Sequence, residues 1–332
     1  MNLSRPRKGG ALALVAACAL LVSACSGGGA PKDSGDTGGG GSGSGDNSGY
    51  TVAMITHETP GDTFWDKIKS GAQQAADNYG IDLKYSNDPD PGQHATLIQN
   101  AVDSKVDGLA TTLDAPDAEA ESVKGAVDAG IPVVAFNQGI DQYQKVGAEM
   151  YFGSDETLAG ETAGERITKD GGKHTLCVIQ DEGSVALEAR CAGVKSKSPG
   201  TENIQVNGAD DSAVVSSLQA KLSEDKSIDY IVTLGAPIAL DALQAMDAAG
   251  SDAKLVTFDL NTDAAKAIQD GDIEFSIDQQ PYVQGYMAVT SLYLNLKNGN
   301  DIGGGGPVLT GPSFVDKSNI DAIVPFAENG TR

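Results

Sequence analysis

The chain has 332 residues, with 46 Asp and Glu against 23 Lys and Arg, which gives a formal net charge of -23 at pH 7. Nucleic-acid binding needs basic surface that meets phosphates, so this acidic balance argues against a nucleic-acid partner. Because 40% of the residues are hydrophobic and 21% are charged, the composition is that of a folded protein, and its length suits roughly two domains.

The start of the chain has the features of a bacterial lipoprotein signal. Basic residues within the first ten positions precede an apolar run over 11–22, which is shorter than the ~20 residues that span a bilayer. The run ends in Val22-Ser23-Ala24-Cys25, which resembles a lipobox, so Cys25 is expected to carry lipid. We therefore predict a signal peptide over 1–24 and a protein that is lipid-anchored to the outer face of the bacterial cytoplasmic membrane.

The lipidated cysteine is followed by a segment that consists mostly of Gly and Ser, and 25–49 is predicted to be a flexible tether. Cys177 and Cys191 are then the cysteines left in the folded part. An even pair in an oxidising compartment predicts a disulfide. The histidines show no ligand spacing with each other or with this pair, so the sequence predicts no metal. No cofactor is predicted either.

The first block of the folded part alternates short apolar runs with longer helical stretches. Strands are predicted at 51–56, 81–85, 107–112 and 132–137, with helices at 62–79, 93–104 and 116–129 between them. In the first helix the apolar residues form one stripe, Asp62 can cap the start and Gly80 can end it.

The same rhythm restarts after about residue 154. Helices are predicted at 155–169, 185–197, 211–223, 237–249, 262–270 and 281–298, and strands at 175–180, 204–206, 228–234, 255–259 and 275–278. Strand–helix alternation with continuous apolar strands indicates parallel sheets that are covered on both faces. The predicted fold class is therefore α/β, with two similar doubly wound lobes.

Polar residues follow the predicted strands, where ligands of open α/β sheets bind. The strand ends carry Thr56-His57-Glu58, Thr112-Leu113-Asp114, Phe136-Asn137-Gln138, Gln180-Asp181-Glu182, Leu234-Gly235-Ala236, Phe258-Asp259-Leu260 and Asp278-Gln279-Gln280. Amides and carboxylates suit neutral polyhydroxylated ligands, and the rings of Phe64 and Trp65 can cover the apolar face of a sugar. Each residue also has a simpler explanation, because either ring can belong to the core and a strand-end Asn or Asp can merely cap the next helix.

Several motifs in this order and spacing resemble the type I periplasmic binding proteins, specifically the ribose- and simple-sugar-binding branch of ABC-importer receptors. The motifs are Phe64-Trp65-Asp66 with Ser70-Gly71-Ala72, Gly130-Ile131-Pro132-Val133-Val134-Ala135-Phe136-Asn137, Gly153-Ser154-Asp155 with Ala159-Gly160, Thr257-Phe258-Asp259, and Ile277-Asp278-Gln279-Gln280-Pro281 with Gln284-Gly285. The similarity spans about residues 50–315. A cytoplasmic repressor of the same fold would need a DNA-binding headpiece, which the lipobox excludes.

The resemblance implies two lobes joined by a hinge of three crossovers. Lobe one is expected to comprise 50–153 plus 280–305, and lobe two 154–279 plus 306–332. The glycine run at 303–306 is then expected at the third crossover, where it can absorb hinge rotation. The implied mechanism is closure of both lobes on a small solute, after which the closed form docks on an ABC permease. A monomer is predicted.

Residue-by-residue matching to the family places the ligand site on both lobes. Lobe one contributes Asp62, Phe64, Trp65, Thr112, Asn137 and Gln138, lobe two contributes Glu188, Gly235 and Asp259, and Gln279 lies at a crossover. The implied disulfide joins the first strand of lobe two, at Cys177, to the helix that follows it, at Cys191.

The sequence departs from the ribose-receptor pattern at the positions that hold cations in that family. Asn137-Gln138 stands in place of Asp-Arg, Glu188 in place of another Arg, and Gly235 in place of Asn. Loss of two cations disfavours acid sugars and phosphates, so the expected ligand is a neutral pentose, hexose or cyclitol. Asp62 and Glu188 raise the alternative of a ligand that bears an amine.

Two other functions compete with a binding protein that performs no chemistry. A secreted carbohydrate hydrolase would use Asp62, Glu188 or Asp259 as acid and base, but paired carboxylates are its only support, and no nucleophile or metalloprotease motif is present. A sensor that presents its ligand to a membrane receptor would use the same closed form, so the sequence does not separate sensing from import.

Overall fold

The computed structural model of the chain describes residues 48–59 and 62–332. The predicted signal peptide, Cys25 and nearly all of the predicted tether lie outside the described residues. Within the described ranges, no helix is both long and apolar enough to span a bilayer.

The first half of the described chain builds a parallel sheet with helices on both faces. Its elements are β1 (Thr51–Thr56), α1 (Phe64–Tyr79), β2 (Asp82–Asn87), α2 (Pro91–Asp103), β3 (Gly108–Thr111), α3 (Pro116–Asp128), β4 (Val133–Asn137), a short 3-10 helix (Tyr143–Val146) and β5 (Met150–Gly153). The strands β1, β3, β4 and β5 are buried and α1 buries one stripe, as the sequence pattern predicts, whereas the edge strand β2 is partly exposed. Gly80 ends α1 in the left-handed conformation, with φ 62°.

The second half repeats this arrangement and then returns to the first sheet. Its elements are α4 (Glu156–Lys169), β6 (Thr175–Ile179), α5 (Val185–Lys197), β7 (Thr201–Gln205), α6 (Asp211–Glu224), β8 (Tyr230–Thr233), α7 (Ala236–Ala249), β9 (Lys254–Phe258), α8 (Thr262–Asp270), β10 (Phe275–Asp278), α9 (Pro281–Asn298), β11 (Val308–Leu309), β12 (Ser313–Asp316) and α10 (Ile320–Glu328).

The two sheets have the same strand order. The first sheet runs β11-β5-β4-β3-β1-β2 and the second runs β12-β10-β9-β8-β6-β7, so each strand of one lobe has a counterpart in the other. All strand pairs are parallel except β10–β12, which is antiparallel. The predicted α/β class with two doubly wound lobes is confirmed.

The chain passes between the lobes three times: after β5, after β10 and after β11. The third passage differs from the prediction, because Val308 pairs with Phe152 of the first sheet. Residues 308–309 therefore belong to the first lobe rather than to 306–332 of the second, and the glycine run lies before β11 instead of at the crossover.

The three passages meet at Gly311. A Cβ atom at this position would lie 2.9 Å from the carbonyl oxygen of Asp278, 2.9 Å from Cα of Gln279 and 3.3 Å from Oγ of Ser154. Those residues belong to the second and first passages, so all three connections are in contact at one place.

In each lobe the helix that follows a crossover packs closely on the helix that follows the first strand of that lobe. In the first lobe α9 contacts α1, and a Cβ at Gly71 would lie 2.0 Å from the carbonyl oxygen of Tyr282. The contact is reciprocal, because a Cβ at Gly285 would lie 2.0 Å from the carbonyl oxygen of Ile68. The counterpart α4–α5 pair of the second lobe uses Gly160 in the same way. Glycine is required where two backbones approach this closely.

Cys177 of β6 and Cys191 of α5 are bonded to each other in the structure, with Cα atoms 5.9 Å apart. Both are fully buried, in the core between the sheet and the α4–α5 helices of the second lobe. The bond therefore fixes the first strand of this lobe to the helix that follows it.

Candidate functional site

Two counterpart residues at strand ends mark the candidate site. Asn137 is the last residue of β4 and Asp259 directly follows β9, and these strands hold the same place in their sheets. Both have left-handed backbone, with φ 64° and 63°, and both are buried. Asn and Asp tolerate this conformation better than most residues, but it still costs free energy and is concentrated at functional sites.

A hydroxyl from the neighbouring strand holds each of these residues in place. In the first lobe Tyr151 Oη of β5 donates to the carbonyl oxygen of Asn137 at 2.7 Å. In the second lobe Ser276 Oγ of β10 donates to the carbonyl oxygen of Asp259 at 2.6 Å. Tyr151 and Ser276 occupy matching register positions, so the two lobes stabilise the strained residue by the same device.

The two side chains are connected through the second crossover. Asn137 Nδ2 donates to Gln279 Oε1 at 3.3 Å, and Gln279 Nε2 donates to Asp259 Oδ1 at 2.9 Å. Gln284 of α9 adds to this network, because its Oε1 accepts from Asn137 Nδ2 at 3.1 Å and its Nε2 donates to Thr310 Oγ1 at 3.2 Å. Residues of both lobes and of two crossovers therefore form one buried polar network.

A buried arginine lies beside Asp259. Arg190 of α5 is 5% exposed, its Nη1 lies 4.0 Å from Asp259 Oδ2, and the same atom donates to the carbonyl oxygen of Leu234 at 3.2 Å. Its Nε pairs with Glu156. Burial raises the pKa of Asp259 to about 7, although the charge of Arg190 acts in the opposite direction. Asp259 therefore offers a carboxylate acceptor directly beside a buried cation.

Lys67 of α1 is a second buried cation, at 6% exposure. Burial lowers its pKa, and the negative charge of Asp259 is the largest effect that opposes this. Lys67 belongs to the first lobe and Asp259 to the second, so opposite charges face each other between the lobes.

The sequence predicts Glu188 at the place where the family has an Arg, but Arg190 and Lys67 are the charged side chains that lie near Asp259, and helix geometry explains the difference. Glu188 and Arg190 are two positions apart on α5, which places them on nearly opposite sides of the helix. Glu188 is exposed and accepts from Gln205 Nε2 at 3.3 Å, within the second lobe. The structure does not bring Glu188 to the other predicted site residues, and Arg190 is the α5 residue that lies there.

Thr112 and Gln138 meet at His57, a residue that the sequence reasoning did not select. Thr112 Oγ1 lies 2.8 Å from His57 Nδ1, and Gln138 Nε2 lies 3.0 Å from His57 Nε2. Burial lowers the pKa of His57 to about 4, so the ring is neutral at pH 7. The signal for His57 was its place at the end of β1, among the strand ends of the first sheet.

The aromatic pair at the start of α1 is divided between core and site. Trp65 is 4% exposed and packs in the core of the first lobe, with its ring edge-on to His57 at 4.7 Å between centroids. Phe64 is half-buried and perpendicular to Trp65 at 5.3 Å. Asp62 is exposed, and its Oδ1 accepts from the backbone N–H of Phe64 at 3.0 Å. Helix α1 begins two residues later than predicted.

Gly235 lies two residues after β8, in extended backbone, and is the N-cap of α7. A Cβ there would lie 3.2 Å from Nε2 of Gln180, the residue that follows β6. A side chain in place of Gly235 would therefore compete with Gln180 for the same space at the strand ends of the second lobe.

The arrangement offers fixed hydrogen-bond donors and acceptors on both lobes. Asn137, Gln138 and Lys67 come from the first lobe, and Asp259 and Arg190 come from the second. Alternating amide, carboxylate and cationic groups can pair with the hydroxyls of a small polar molecule, and each contact that spans both lobes favours the closed arrangement.

Comparison with known proteins gives the chain its family. A family profile described as "Periplasmic binding protein domain" matches residues 52–301. The ribose import binding protein of Escherichia coli is 29% identical over 244 residues, which cover 70% of this chain and 79% of that protein. The fructose import binding protein of Bifidobacterium longum is 28% identical over 290 residues, which cover 82% and 84%.

A solved structure is more similar still. A carbohydrate transporter from Acidothermus cellulolyticus, in complex with myo-inositol, is 56% identical, covers 85% of this chain and 99% of its own, and superposes with a TM-score of 0.83. Its likeness extends across both lobes, and the family predicted from the sequence motifs is confirmed. This chain belongs to the periplasmic binding protein family.

Proposed function

We propose that this protein is the extracytoplasmic receptor of an ABC importer and that it captures myo-inositol, or a neutral polyol or sugar of similar size, between its lobes. The observation that carries the proposal is the 56% identity to a carbohydrate transporter that was solved with myo-inositol. The family relatives named for ribose and fructose import support the wider class of ligand and the role in import.

The charges near the site support a neutral ligand over an amine. Lys67 and Arg190 are both buried near Asp259, and a cationic ligand would be repelled by them. Asp62 and Glu188, which raised the amine hypothesis, are both exposed. A guanidinium and a carboxylate side by side can instead donate to and accept from neighbouring hydroxyls of one ring.

The ligand site that we propose keeps most of the residues expected from the sequence. It comprises Asp62, Phe64, Trp65, Thr112, Asn137, Gln138, Asp259 and Gln279, with Lys67, Arg190 and His57 added and Glu188 removed. The support is the network that joins Asn137, Gln279 and Asp259 between the lobes.

We further propose that the protein is anchored through lipid on Cys25 and acts as a monomer. The lipobox sequence and the glycine-rich segment after it support the anchor. A soft tether would let the folded part reorient above the membrane and meet its permease.

Calorimetric titration of the purified protein with myo-inositol, ribose, xylose, fructose and glucose tests the function. We expect 1:1 binding that is tightest for myo-inositol, because its ring presents only hydroxyls. If another sugar binds more tightly, the proposed ligand changes, but the proposed class of sugar and polyol ligands stands. Failure of every sugar and polyol would contradict the proposed function.

The same titration on Asp259→Asn tests the site. Loss of a charged acceptor should weaken binding by a factor of roughly 10 to 100. Asp263→Asn is the matched control, because Asp263 lies four residues away and is exposed. Equal affinities for both variants and the unmodified protein would remove Asp259 from the ligand site.

A further inference from the structure

A buried cluster of one histidine and two carboxylates lies in the first lobe, behind the candidate ligand site. His94 comes from α2, Asp114 follows β3, and Glu119 comes from α3. His94 and Glu119 are fully buried, and the Asp114 side chain is 19% exposed. The three potential ligand atoms lie within 4.8 Å of one another.

The hydrogen bonds around His94 fix which ring nitrogen carries the proton. Thr111 Oγ1 donates its hydrogen to the carbonyl oxygen of Thr112 at 3.1 Å. The same oxygen lies 3.1 Å from His94 Nε2, and it can only accept there. The neutral imidazole therefore carries its hydrogen on Nε2 and offers a lone pair on Nδ1. Although burial acts in the opposite direction, hydrogen bonds with Asp114 and Glu119 raise the pKa of His94 to about 9, so without a metal ion a second proton lies on Nδ1, and a metal ion would take the place of that proton.

That lone pair faces the two carboxylates. His94 Nδ1 lies 2.9 Å from Glu119 Oε1 and 3.4 Å from Asp114 Oδ1. Among the described residues, Glu119 Oε2 has no hydrogen-bond partner, and the other three atoms meet only one another and His57 Nδ1. Buried polar atoms without partners are costly, and several lone pairs aimed at one place repel unless a positive charge lies between them.

We propose that His94, Asp114 and Glu119 bind a divalent metal ion, with zinc the best fit. Ligands held about 2.0–2.1 Å from zinc in a tetrahedron lie about 3.3 Å from one another, which matches the separations in this cluster. Two carboxylates balance the charge of a divalent ion, and zinc accepts both imidazole nitrogen and carboxylate oxygen as ligands. Calcium and magnesium are hard cations that take oxygen ligands, so the imidazole nitrogen of His94 does not suit them.

The cluster also has the supporting contacts of a metal site. Thr111 orients the ring of the histidine ligand through Nε2, the kind of second contact that fixes ring orientation in metalloproteins. The partly exposed side of Asp114 leaves room for water as a fourth ligand. His57 Nδ1 lies 3.4 Å from Asp114 Oδ1 and 2.8 Å from Thr112 Oγ1, so an ion here would brace the residues behind the ligand site.

Sequence patterns do not reveal this site because its ligands come from three separate elements. His94 is 20 positions before Asp114 and 25 before Glu119, and no spacing rule for metal ligands covers such a set. The prediction of no metal rested on the spacing of the histidines with each other and with the cysteines.

Zinc titration of the chelator-treated, untagged protein tests the proposal, with metal content measured by mass spectrometry after dialysis. One tightly bound zinc per chain is expected, with a higher melting temperature in its presence. Glu119→Gln should weaken zinc binding at least tenfold, whereas Glu121→Gln, an exposed change on the same helix, should leave it unchanged.

Two further variants keep the result unambiguous. His174→Gln removes a second group of possible ligands, formed with Glu202 and Asp225 on the second lobe, and should not change the tight site. Asp114→Asn, at the more exposed ligand, serves if Glu119→Gln does not fold. Absence of bound zinc in the unmodified protein, or zinc affinity in Asp114→Asn and Glu119→Gln equal to that of the unmodified protein, would overturn the proposal and leave a proton shared within the cluster.

Discussion

Asp241 of α7 is a carboxylate that is held almost entirely out of solvent. It is 6% exposed, and within the described residues its Oδ2 has no hydrogen-bond partner. Burial, and to a lesser extent the charge of Asp211, raises the pKa of Asp241 to about 6. Its protonated form is therefore compatible with the fold, and its ionised form destabilises the fold.

The pH dependence of stability should report this residue. Because the folded pKa is raised above the unfolded value of 3.8, the favourable contribution is complete below about pH 4 and is lost as the pH rises through about 6. Asp241→Asn should leave stability unchanged at pH 3.5 and raise the free energy of unfolding by about 1 to 2 kcal/mol at pH 8. Urea denaturation of both proteins at both pH values measures this difference in the free energy of unfolding.

Asp247→Asn, an exposed change on the same helix, is the control and should differ by less than about 0.5 kcal/mol at either pH. Equal effects of Asp241→Asn at pH 3.5 and pH 8 would show that ionisation of Asp241 does not limit stability.

At the residue scale the sequence predicted the strand ends well and the helix residues poorly. Asn137, Asp259 and Gln279 come together because parallel strands bring their carboxyl ends to one edge, which a strand pattern reveals. Lys67 and Arg190 lie on helices, where a shift of one or two positions turns a residue to another side. Only the packing of α1 and α5 against their sheets decides which cation is buried.

The helix pairs that follow the crossovers depend on glycine. At Gly285 of α9 an added methyl group would meet the backbone of α1, at 2.0 Å from the carbonyl oxygen of Ile68, so neither partner is a side chain that can turn away. We expect Gly285→Ala to lower the free energy of unfolding by roughly 2 kcal/mol or more. Chemical denaturation measures the change.

Gly125→Ala is the matched control for that variant. Gly125 lies within α3, where an added Cβ would meet only the end of the Gln99 side chain at 3.9 Å. Alanine is the better helix former, so this change should be neutral or stabilising by up to about 1 kcal/mol. A Gly285→Ala protein as stable as Gly125→Ala would mean that α9 and α1 can separate freely.

Most elements of the fold could be predicted because their apolar periodicity is long and regular. The sequence missed β5, β11, β12 and α10. β11 has two residues, too few for a pattern, and α10 contains Pro325, which argues against a helix. β12 pairs antiparallel to its neighbour, which the parallel rhythm of the rest of the chain does not indicate.

For the whole molecule, the family match and the two sheets confirm a two-lobed receptor. The predicted crossover in the glycine run was wrong because β11 extends the first sheet. The repetition of strands and helices reveals two lobes, but it does not reveal to which lobe a short edge strand such as β11 belongs.

Closure of the lobes on ligand should be measurable in solution. If myo-inositol contacts both Asn137 and Asp259, small-angle scattering should show a lower radius of gyration at saturating ligand. Asp259→Ala at the same ligand concentration should keep the ligand-free value, since it lacks the contact from the second lobe. Binding without any change in the radius would contradict a closure mechanism.

The convergence of three connections on Gly311 limits how the halves of the molecule can move. Connections that meet at one place oppose sliding of the lobes, because a translation would pull at least one of them taut, and they leave rotation about that place as the easy motion. Opening and closing then describe the main range of shapes. A transport partner in the membrane then needs to distinguish only how far the lobes are open. A bound ligand reports its presence by shifting the molecule towards the closed form.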